Sequence, residues 1–400
     1  MADRRLQEFY KEISEDLSRC VNFWLKHSHD TEYGGFFDCL GPRGEVYDDT
    51  KHVWLQGRQV WAYARLYNEE EQYRRKDILE TAEKAAAFLK KFAKHPKTWK
   101  CYLALTRDGR PIKMQRTIFS ECFYAMAFSE LAISTGHDEY RVEALSMMDK
   151  IIYWVREDPT DLLFGYPPMA GEPEVNPLNV PMMILCLVDQ METMDTELSE
   201  RYAEIAEWSV NQIRAHIQRN GTVILENVDQ EGRELPGSSG RVMVPGHSIE
   251  AGWFLLNYAI KNGRPELADT AINKFMIKPF EYGWDKEHGG LFYFLDADGL
   301  SPVQLEWNMK LWWTHNEAMI AFLMAYQHTG RLEILKKFEQ VFDYVYAKHV
   351  DRKYGEWFGY LNRDGTVCMD FKGGPWKGCF HVPRALLMCK KMLQEITNTN

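Results

Sequence analysis

Two histidines of this chain stand where helices are predicted to begin, and histidine is the side chain best suited to proton transfer near neutral pH. His247 follows Pro245-Gly246, and His381 lies in the segment Lys377-Gly-Cys-Phe-His-Val-Pro-Arg384. The N-terminus of a helix disfavours a positive imidazole, and a neutral imidazole is what a general base needs. The two residues therefore predict acid–base chemistry.

Charged residues accompany these histidines at other predicted helix starts. Glu250 lies three residues after His247 and shares its helix face. The segment between the two histidines supplies His315 and Glu317, and Arg58 opens a further helix, where a cation can stabilise an oxyanion. A single histidine is more often structural than catalytic, but two in equivalent positions, with Arg and Glu in others, favour one shared site.

The elements that must position these residues repeat along the chain. Six segments that each read as the start of a buried helix begin 58, 65, 66, 68 and 66 residues apart. Their first residues are Arg58, Arg116, Pro181, His247, His315 and His381. A period near 65 residues suits a helical hairpin plus a long loop. The pattern predicts an all-α fold, an (α/α)6 barrel of inner and outer helix rings with short β-hairpins in the loops at one end.

The apolar periodicity predicts the extent of each helix. Inner helices are expected near 52–68, 116–133, 181–193, 247–261, 312–328 and 380–395. Outer helices are expected near 4–27, 75–94, 140–156, 198–217, 265–278 and 332–348. Each hairpin can bury its apolar faces only against its neighbours, so residues 1–400 are expected to form a single catalytic domain.

Composition excludes several classes of function. A formal net charge of −10 disfavours a nucleic-acid binder. The N-terminus is charged and amphipathic, unlike a signal peptide, and no apolar run approaches the ~20 residues that span a bilayer. The 8 cysteines include no C-x-x-C pair, and no cluster has metal-ligand spacing. A cytoplasmic protein without a metal is the expectation.

Longer strings of the sequence carry a family resemblance. The most specific are Val53-Trp-Leu-Gln-Gly-Arg-Gln-Val-Trp61, Gln115-Arg-Thr-Ile-Phe-Ser-Glu-Cys-Phe123, Pro245-Gly-His-Ser-Ile-Glu-Ala-Gly-Trp253 and Lys372-Gly-Gly-Pro-Trp-Lys-Gly-Cys-Phe-His-Val-Pro-Arg384. Through them the chain, essentially end to end, resembles the animal N-acylglucosamine 2-epimerases, also called renin-binding proteins. The resemblance implies a homodimer that interconverts N-acetylglucosamine and N-acetylmannosamine in amino-sugar and sialic acid metabolism. It also implies ATP as an activator that is not consumed, no cofactor for the chemistry, and renin as a possible partner.

The resemblance also assigns roles to residues. It places the family's acid–base pair on His247 and His381 and its substrate contacts on Arg58, Glu250, Glu317 and Arg384. One histidine would remove the C2 proton of the open-chain sugar, and the other would return a proton to the opposite face. The family's essential-cysteine region matches Cys379, which has no evident part in proton transfer and is interpreted as structural.

Three alternatives remain open on the sequence. A glycoside hydrolase on the same barrel would use Glu250 and Glu317 as its paired carboxylates, which leaves the histidines without a role. An epimerase or isomerase of other aldoses or disaccharides would need no acetamido group. A non-catalytic partner binder, with renin as the partner, would use the outer wall of the barrel.

Overall fold

The computed structural model describes residues 2–163 and 169–399. The helices in these ranges are α1 (Ala2–His27), α2 (Val53–Glu69), α3 (Lys76–Phe92), α4 (Phe119–Thr135), α5 (Asp138–Arg156), α6 (Thr160–Leu163), α7 (Asn179–Met194), α8 (Leu198–Ala215), α9 (Gly237–Gly240), α10 (Pro245–Lys261), α11 (Pro265–Thr270), α12 (Lys278–Gly283), α13 (Trp312–Thr329), α14 (Leu332–Lys348) and α15 (His381–Thr399). A π-helical segment, Ala271–Ile277, joins α11 to α12. Short 3-10 turns lie at Glu71–Tyr73 and Arg219–Gly221.

Two concentric rings of helices make up the structure. The inner ring is α2, α4, α7, α10, α13 and α15, each packed on the next, and α15 also contacts α2 and so closes the ring. The outer helices α3, α5, α8 and α14 pack on α2, α4, α7 and α13, the π-helical segment packs on α10, and α1 packs on α15. The predicted (α/α)6 barrel is confirmed.

The two rings bury different fractions of their surface. In the outer helix α1, the buried residues recur at helical spacing and form a single face: Leu6, Phe9, Ile13, Leu17 and Val21. The inner helix α13 buries every residue from Trp312 to Leu323. An inner helix is covered by two ring neighbours and one outer helix, so it has almost no solvated face.

The predicted helix bounds hold within a few residues, with two informative differences. The second inner helix begins at Phe119, and Arg116 lies in the exposed loop before it. The outer helix expected to end near 278 continues to Gly283. Pro279 lacks an N–H and is a sequence signal for a helix end, but the backbone stays helical from the π-helical segment through Ile277 into α12.

Short strands connect the loops at the end of the barrel where the inner helices begin. They are β1 (Cys39–Leu40), β2 (Val46–Asp48), β3 (Lys51–His52), β4 (Ala104–Leu105), β5 (Pro111–Lys113), β6 (Asn176–Pro177), β7 (Ile217–Gln218), β8 (Val223–Ile224), β9 (Asn227–Val228), β10 (Val242–Met243), β11 (Leu295–Asp296), β12 (Lys310–Leu311), β13 (Tyr360–Leu361) and β14 (Val367–Met369). Some form the predicted hairpins, such as β1–β2 and β13–β14. Others pair one loop with the following one: β3–β4, β6–β9, β10–β11 and β12–β13, all antiparallel. These pairings link successive repeats.

Buried Asp–Lys ion pairs recur in three of the loops and reveal the repeat at the level of single atoms. The pairs are Asp30–Lys51 (2.9 Å), Asp285–Lys310 (3.1 Å) and Asp351–Lys372 (2.9 Å). Each ammonium also donates to a glycine carbonyl of the same turn, from Gly34, Gly290 and Gly355. These contacts hold each loop against the start of its inner helix. Within the described ranges no helix is long and apolar enough to cross a bilayer.

Candidate active site

The first two turns of four inner helices carry all six predicted site residues. They are Arg58 on α2, His247 and Glu250 on α10, Glu317 on α13, and His381 and Arg384 on α15. Because every inner helix begins at the loop end, these turns lie at the same level of the barrel. The contacts between them define one polar cluster.

Glu317 is the centre of this cluster. Its Oε1 accepts hydrogen bonds from Nδ1 of His381 at 2.7 Å and from Arg384 at 2.5 Å. Its Oε2 accepts a hydrogen bond from the indole N–H of Trp253 at 2.9 Å. Arg384 also reaches Glu250, at 3.2 Å, so one guanidinium bridges two buried carboxyl groups.

The two carboxyl groups differ in their readiness to ionise. Burial raises the pKa of Glu250 to about 7, and the neighbouring charge of Glu317 acts in the same direction. Burial also acts to raise the pKa of Glu317, but Arg384 and His381 outweigh it and lower that pKa to about 2. Glu317 is therefore the carboxylate of the pair, and Glu250 exchanges its proton near neutral pH.

His381 is a buried, neutral imidazole. Burial lowers its pKa to about 3, the hydrogen bond with Glu317 opposes that change, and the cations Arg58 and Arg384 add to it. Since Nδ1–H is donated to Glu317, the lone pair lies on Nε2, which has no hydrogen-bond partner among the described residues. The geometry suits a proton acceptor.

His247 has the opposite character. Its Nδ1 lies 2.9 Å from Oε1 of Glu226, and its Nε2 has no hydrogen-bond partner in the described part of the chain. Burial acts to lower the pKa of His247, but Glu226, followed by Glu250 and Glu317, outweighs it, and the net effect raises that pKa. The pKa values of the two predicted acid–base groups are thus shifted in opposite directions.

A tryptophan brings the two imidazoles together. The ring centre of Trp313 lies 5.1 Å from that of His247 and 6.0 Å from that of His381. The approach depends on Gly246, because a Cβ at that position would lie 2.6 Å from Cγ2 of Thr314 and 2.8 Å from the Trp313 ring. The two histidines therefore lie against the same tryptophan side chain.

Arg58 is a cation without an anionic partner. No hydrogen bond or ion pair to its guanidinium is found among the described residues, and its buried Nε is unpaired. Its guanidinium carbon instead lies 4.1 Å from the ring centre of Phe123 and 5.2 Å from that of Phe380. A guanidinium held by aromatic faces alone keeps its donors available for a developing negative charge.

Two further residues named in the sequence analysis have structural positions. His315 is buried, with Nδ1 2.6 Å from the Leu311 carbonyl and Nε2 accepting from the Leu291 N–H at 3.0 Å. The expectation that it would join Glu317 in the pocket was wrong, because helical residues two positions apart point to opposite faces. Cys379 is buried, and burial raises the pKa of its thiol well above the usual range, as suits a structural thiol.

Glu226 is the site residue that the sequence did not reveal. It lies in the loop between β8 and β9, outside every repeated helix start. Its backbone is fixed by bonds from Glu226 N–H to the Val242 carbonyl and from Leu178 N–H to the Glu226 carbonyl. An acidic residue in a loop carries no local signal of its function, and only the loop-to-loop pairing brings it to His247.

Three of the site residues also meet the geometric requirement for a cation. One ligand atom each of Glu250, Glu317 and His381 lies within 4.8 Å of the others. The guanidinium of Arg384 bonds to both carboxyl groups, and Nδ1 of His381 is hydrogen-bonded to Glu317. The donors are therefore engaged by the positive charge of the protein itself.

Comparisons with known proteins show which proteins the chain is similar to. The sequence profile of the N-acylglucosamine 2-epimerase (GlcNAc 2-epimerase) family matches residues 35–385. The chain is 55% identical to the N-acylglucosamine 2-epimerase of Mus musculus, over 97% of this chain and 92% of that one. It is 54% identical to the Homo sapiens protein of the same name, over 97% and 91%. The cellobiose 2-epimerase of Bacillus thermoamylovorans B4167 shares the fold, with a TM-score of 0.81, 20% identity and coverage of 96% and 99%.

Proposed function

The chain belongs to the N-acylglucosamine 2-epimerase family of carbohydrate epimerases, and from that premise we propose that it interconverts N-acetyl-D-glucosamine and N-acetyl-D-mannosamine. The observation that carries the proposal is that two imidazoles lie against the same side chain, Trp313. The Nε2 of each imidazole has no hydrogen-bond partner among the described residues. Inversion at one carbon by proton transfer needs two such groups, one for each face of the reacting carbon.

The proposed chemistry follows from the acidity of the C2 proton. In the open-chain sugar, C1 is an aldehyde, so removal of the C2 proton gives an enolate whose charge lies on O1. One imidazole takes the proton, and the other delivers a proton to the opposite face. Arg58, with no anionic partner of its own, stabilises the charge on O1. Ring opening precedes these steps, and one of the same imidazoles supplies its acid. Glu250, Glu317 and Arg384 bind the sugar and fix its orientation.

The geometry favours this chemistry over glycoside hydrolysis. A glycosidase needs one carboxylate free to attack the sugar or to activate water. Both oxygens of Glu317 are already hydrogen-bonded, to His381 and Arg384 and to Trp253. The remaining rival is an epimerase of sugars without the acetamido group, which the substrates glucose, mannose and cellobiose distinguish.

The wider biology is proposed on the 54–55% identity to the mammalian relatives. On that basis the chain acts in the cytoplasm as a homodimer, as a single catalytic domain in amino-sugar and sialic acid metabolism. ATP activates it without being consumed, and no metal or redox cofactor takes part in the chemistry. Renin binding is a secondary proposal, since a partner surface does not require an acid–base pair.

Proton NMR of N-acetylmannosamine with the protein in D2O, with and without ATP, tests the proposal. We expect N-acetylglucosamine carrying deuterium at C2, and a loss of at least about 10³-fold in rate for His247→Ala and for His381→Ala. His328→Ala, an exposed histidine at the far end of α13, is the matched control and should retain full activity. No conversion by the wild-type protein under any nucleotide condition would overturn the epimerase proposal.

A further inference from the structure

The carboxylate of Glu226 makes a side-chain hydrogen bond with the imidazole of His247. Its Oε1 meets Nδ1 of His247 at 2.9 Å, and its Oε2 is buried without a hydrogen-bond partner in the described ranges. No cation other than the imidazole contacts it there. A buried carboxylate with a single donor stabilises the positive form of that donor strongly, since nothing else compensates its charge.

The corresponding carboxylate beside His381 is arranged differently. Glu317 also accepts from an imidazole Nδ1, at 2.7 Å, but it shares its charge with Arg384 and its second oxygen with Trp253. The guanidinium neutralises Glu317, so little of its charge remains to hold a proton on His381. The two histidines have matching carboxylate partners and unequal electrostatic support.

We infer that Glu226 is a positioning residue that holds the mobile proton of the resting enzyme on His247, so that with N-acetylmannosamine as the substrate His381 is the base and His247 the acid. In the reverse direction the two imidazoles exchange these roles. The inference rests on the proposed function and deepens it. Nε2 of His381 takes the C2 proton and becomes imidazolium, and Nε2 of His247 gives its proton to the opposite face and becomes neutral. One proton enters the protein and one leaves it. The protein then returns to its resting state by exchange with water.

Three carboxyl groups on the elements around His247 act on the pKa of its imidazole. Glu226 lies on the loop before β9, Glu250 on its own helix, and Glu317 on α13, and all three favour the protonated imidazole. Trp313 covers one face of the ring. Only Glu226 is hydrogen-bonded to it, so only its charge can be removed without disturbing the Arg384 cluster.

The substitution Glu226→Gln isolates the charge. The amide oxygen of glutamine still accepts from Nδ1–H, which keeps the ring in place, while the negative charge is lost. Glu231→Gln is the matched control: it lies five residues further along the chain, beyond β9, and makes the same change in charge at an exposed ion pair with Arg233. Glu226→Asp keeps the charge and withdraws it by one methylene, and it should behave as an intermediate.

Two measurements on the whole protein separate this inference from the proposed function. The first is nitrogen-15 NMR of the histidine side chains against pH, which needs no turnover. We expect the pH at which His247 loses its proton to fall by about one unit or more in Glu226→Gln and to stay unchanged in Glu231→Gln. An unchanged titration of His247 in Glu226→Gln would overturn the inference, whether or not the protein epimerises any sugar.

The second measurement is the pH profile of kcat and of KM with N-acetylmannosamine. Loss of the protonated His247 sets the alkaline limb, so that limb should move to lower pH in Glu226→Gln. The expected loss in kcat approaches about tenfold on the alkaline limb and becomes small at the acidic end of the profile, with KM little changed. A purely structural role would lower kcat by the same factor at both pH values, and that result would contradict the inference.

Discussion

The two ends of the inner helix ring carry similar aromatic and charged side chains, but the charges are paired differently at the two ends. At the loop end lie the six site residues. At the opposite end, where the inner helices finish, a cavity of about 400 Å³ is lined by Trp61, Trp253, four methionines and several charged side chains. Trp253 and Arg384 form part of both, so a single layer of side chains separates the two regions.

The charges at the far end are paired with one another. Arg65 bridges Glu69 at 2.8 Å and Glu130 at 3.1 Å, Lys391 donates to Glu69 at 2.9 Å, and Lys261 pairs with Asp189. At the loop end, by contrast, Arg58 has no hydrogen-bonded anionic partner among the described residues, and each of the two proposed acid–base imidazoles keeps one nitrogen without a partner there. Charged side chains thus line both ends, but only the loop end leaves a cation and two imidazole nitrogens without a partner among the described residues, as a reactive site requires.

The strongest test of this contrast removes the charged residue that the two ends share. Arg384→Met leaves the buried Glu250 and Glu317 without their cation, so we expect a loss of about 3–5 kcal/mol in the free energy of unfolding and at least about 10³-fold in kcat/KM. Urea denaturation and steady-state kinetics measure both. The far-end counterpart Arg65→Met should cost less, about 1–2 kcal/mol, because Glu130 keeps hydrogen bonds from Asn68 and Gln190. Equal losses of stability and activity in the two variants would contradict the proposed difference between the two ends.

A substitution at Arg58 separates reactivity from stability. Arg58→Met should lower kcat by about 10²- to 10³-fold, because the donor for the O1 charge is lost. The free energy of unfolding should stay the same or rise, because a buried cation without an ion-pair partner is removed. Both quantities are measured as above, and Arg65→Met provides the control in which stability falls. A clear loss of stability in Arg58→Met would show that its charge is compensated after all.

The pH dependence of stability reports the raised pKa of Glu250 at the loop end. The pKa of Glu250 is raised to about 7 in the folded protein, so its contribution to stability is fully present below its ordinary pKa near 4.5 and is lost as the pH rises through 7. Glu250→Gln cannot ionise, so the free energy of unfolding should fall less between pH 5 and pH 8 in this variant than in the wild type. Urea titrations at the two pH values decide, and an identical fall in both proteins contradicts the assignment.

The smallest effect is expected at the far end. Met324→Leu changes a wall of the 400 Å³ cavity without altering any charge. Since a volume-conserving apolar substitution usually costs less than about 1.5 kcal/mol, we expect a change within that range and less than about twofold in kcat/KM. A large loss of activity, measured with N-acetylmannosamine, would mean that the far end takes part in the reaction.

Much of the site was accessible from the sequence, for a local reason. The six predicted site residues all lie in the first two turns of inner helices, and those turns are identified by periodicity and by their repeat: Arg58, His247, Glu250, Glu317, His381 and Arg384. Arg384 was assigned a role by the family resemblance alone. Glu226 escaped because it reaches His247 from a loop whose position depends on strand pairing with another loop. His315 was misplaced because the repeat locates a turn and says nothing about which face of the helix meets the pocket.

The sequence by itself determined the architecture and the identity of the reactive groups, since helix spacing, turn residues and repeats are properties of neighbouring positions in the chain. Only the tertiary structure decided the state of those groups. The pKa of each depends on burial and on partners that fold to it from far away, as Arg384 does to Glu250 across 134 positions. The pKa values of two histidines with equivalent places in the repeat therefore shift in opposite directions. Glu226 has no cation other than His247 in contact with it among the described residues, whereas Arg384 neutralises Glu317 beside His381.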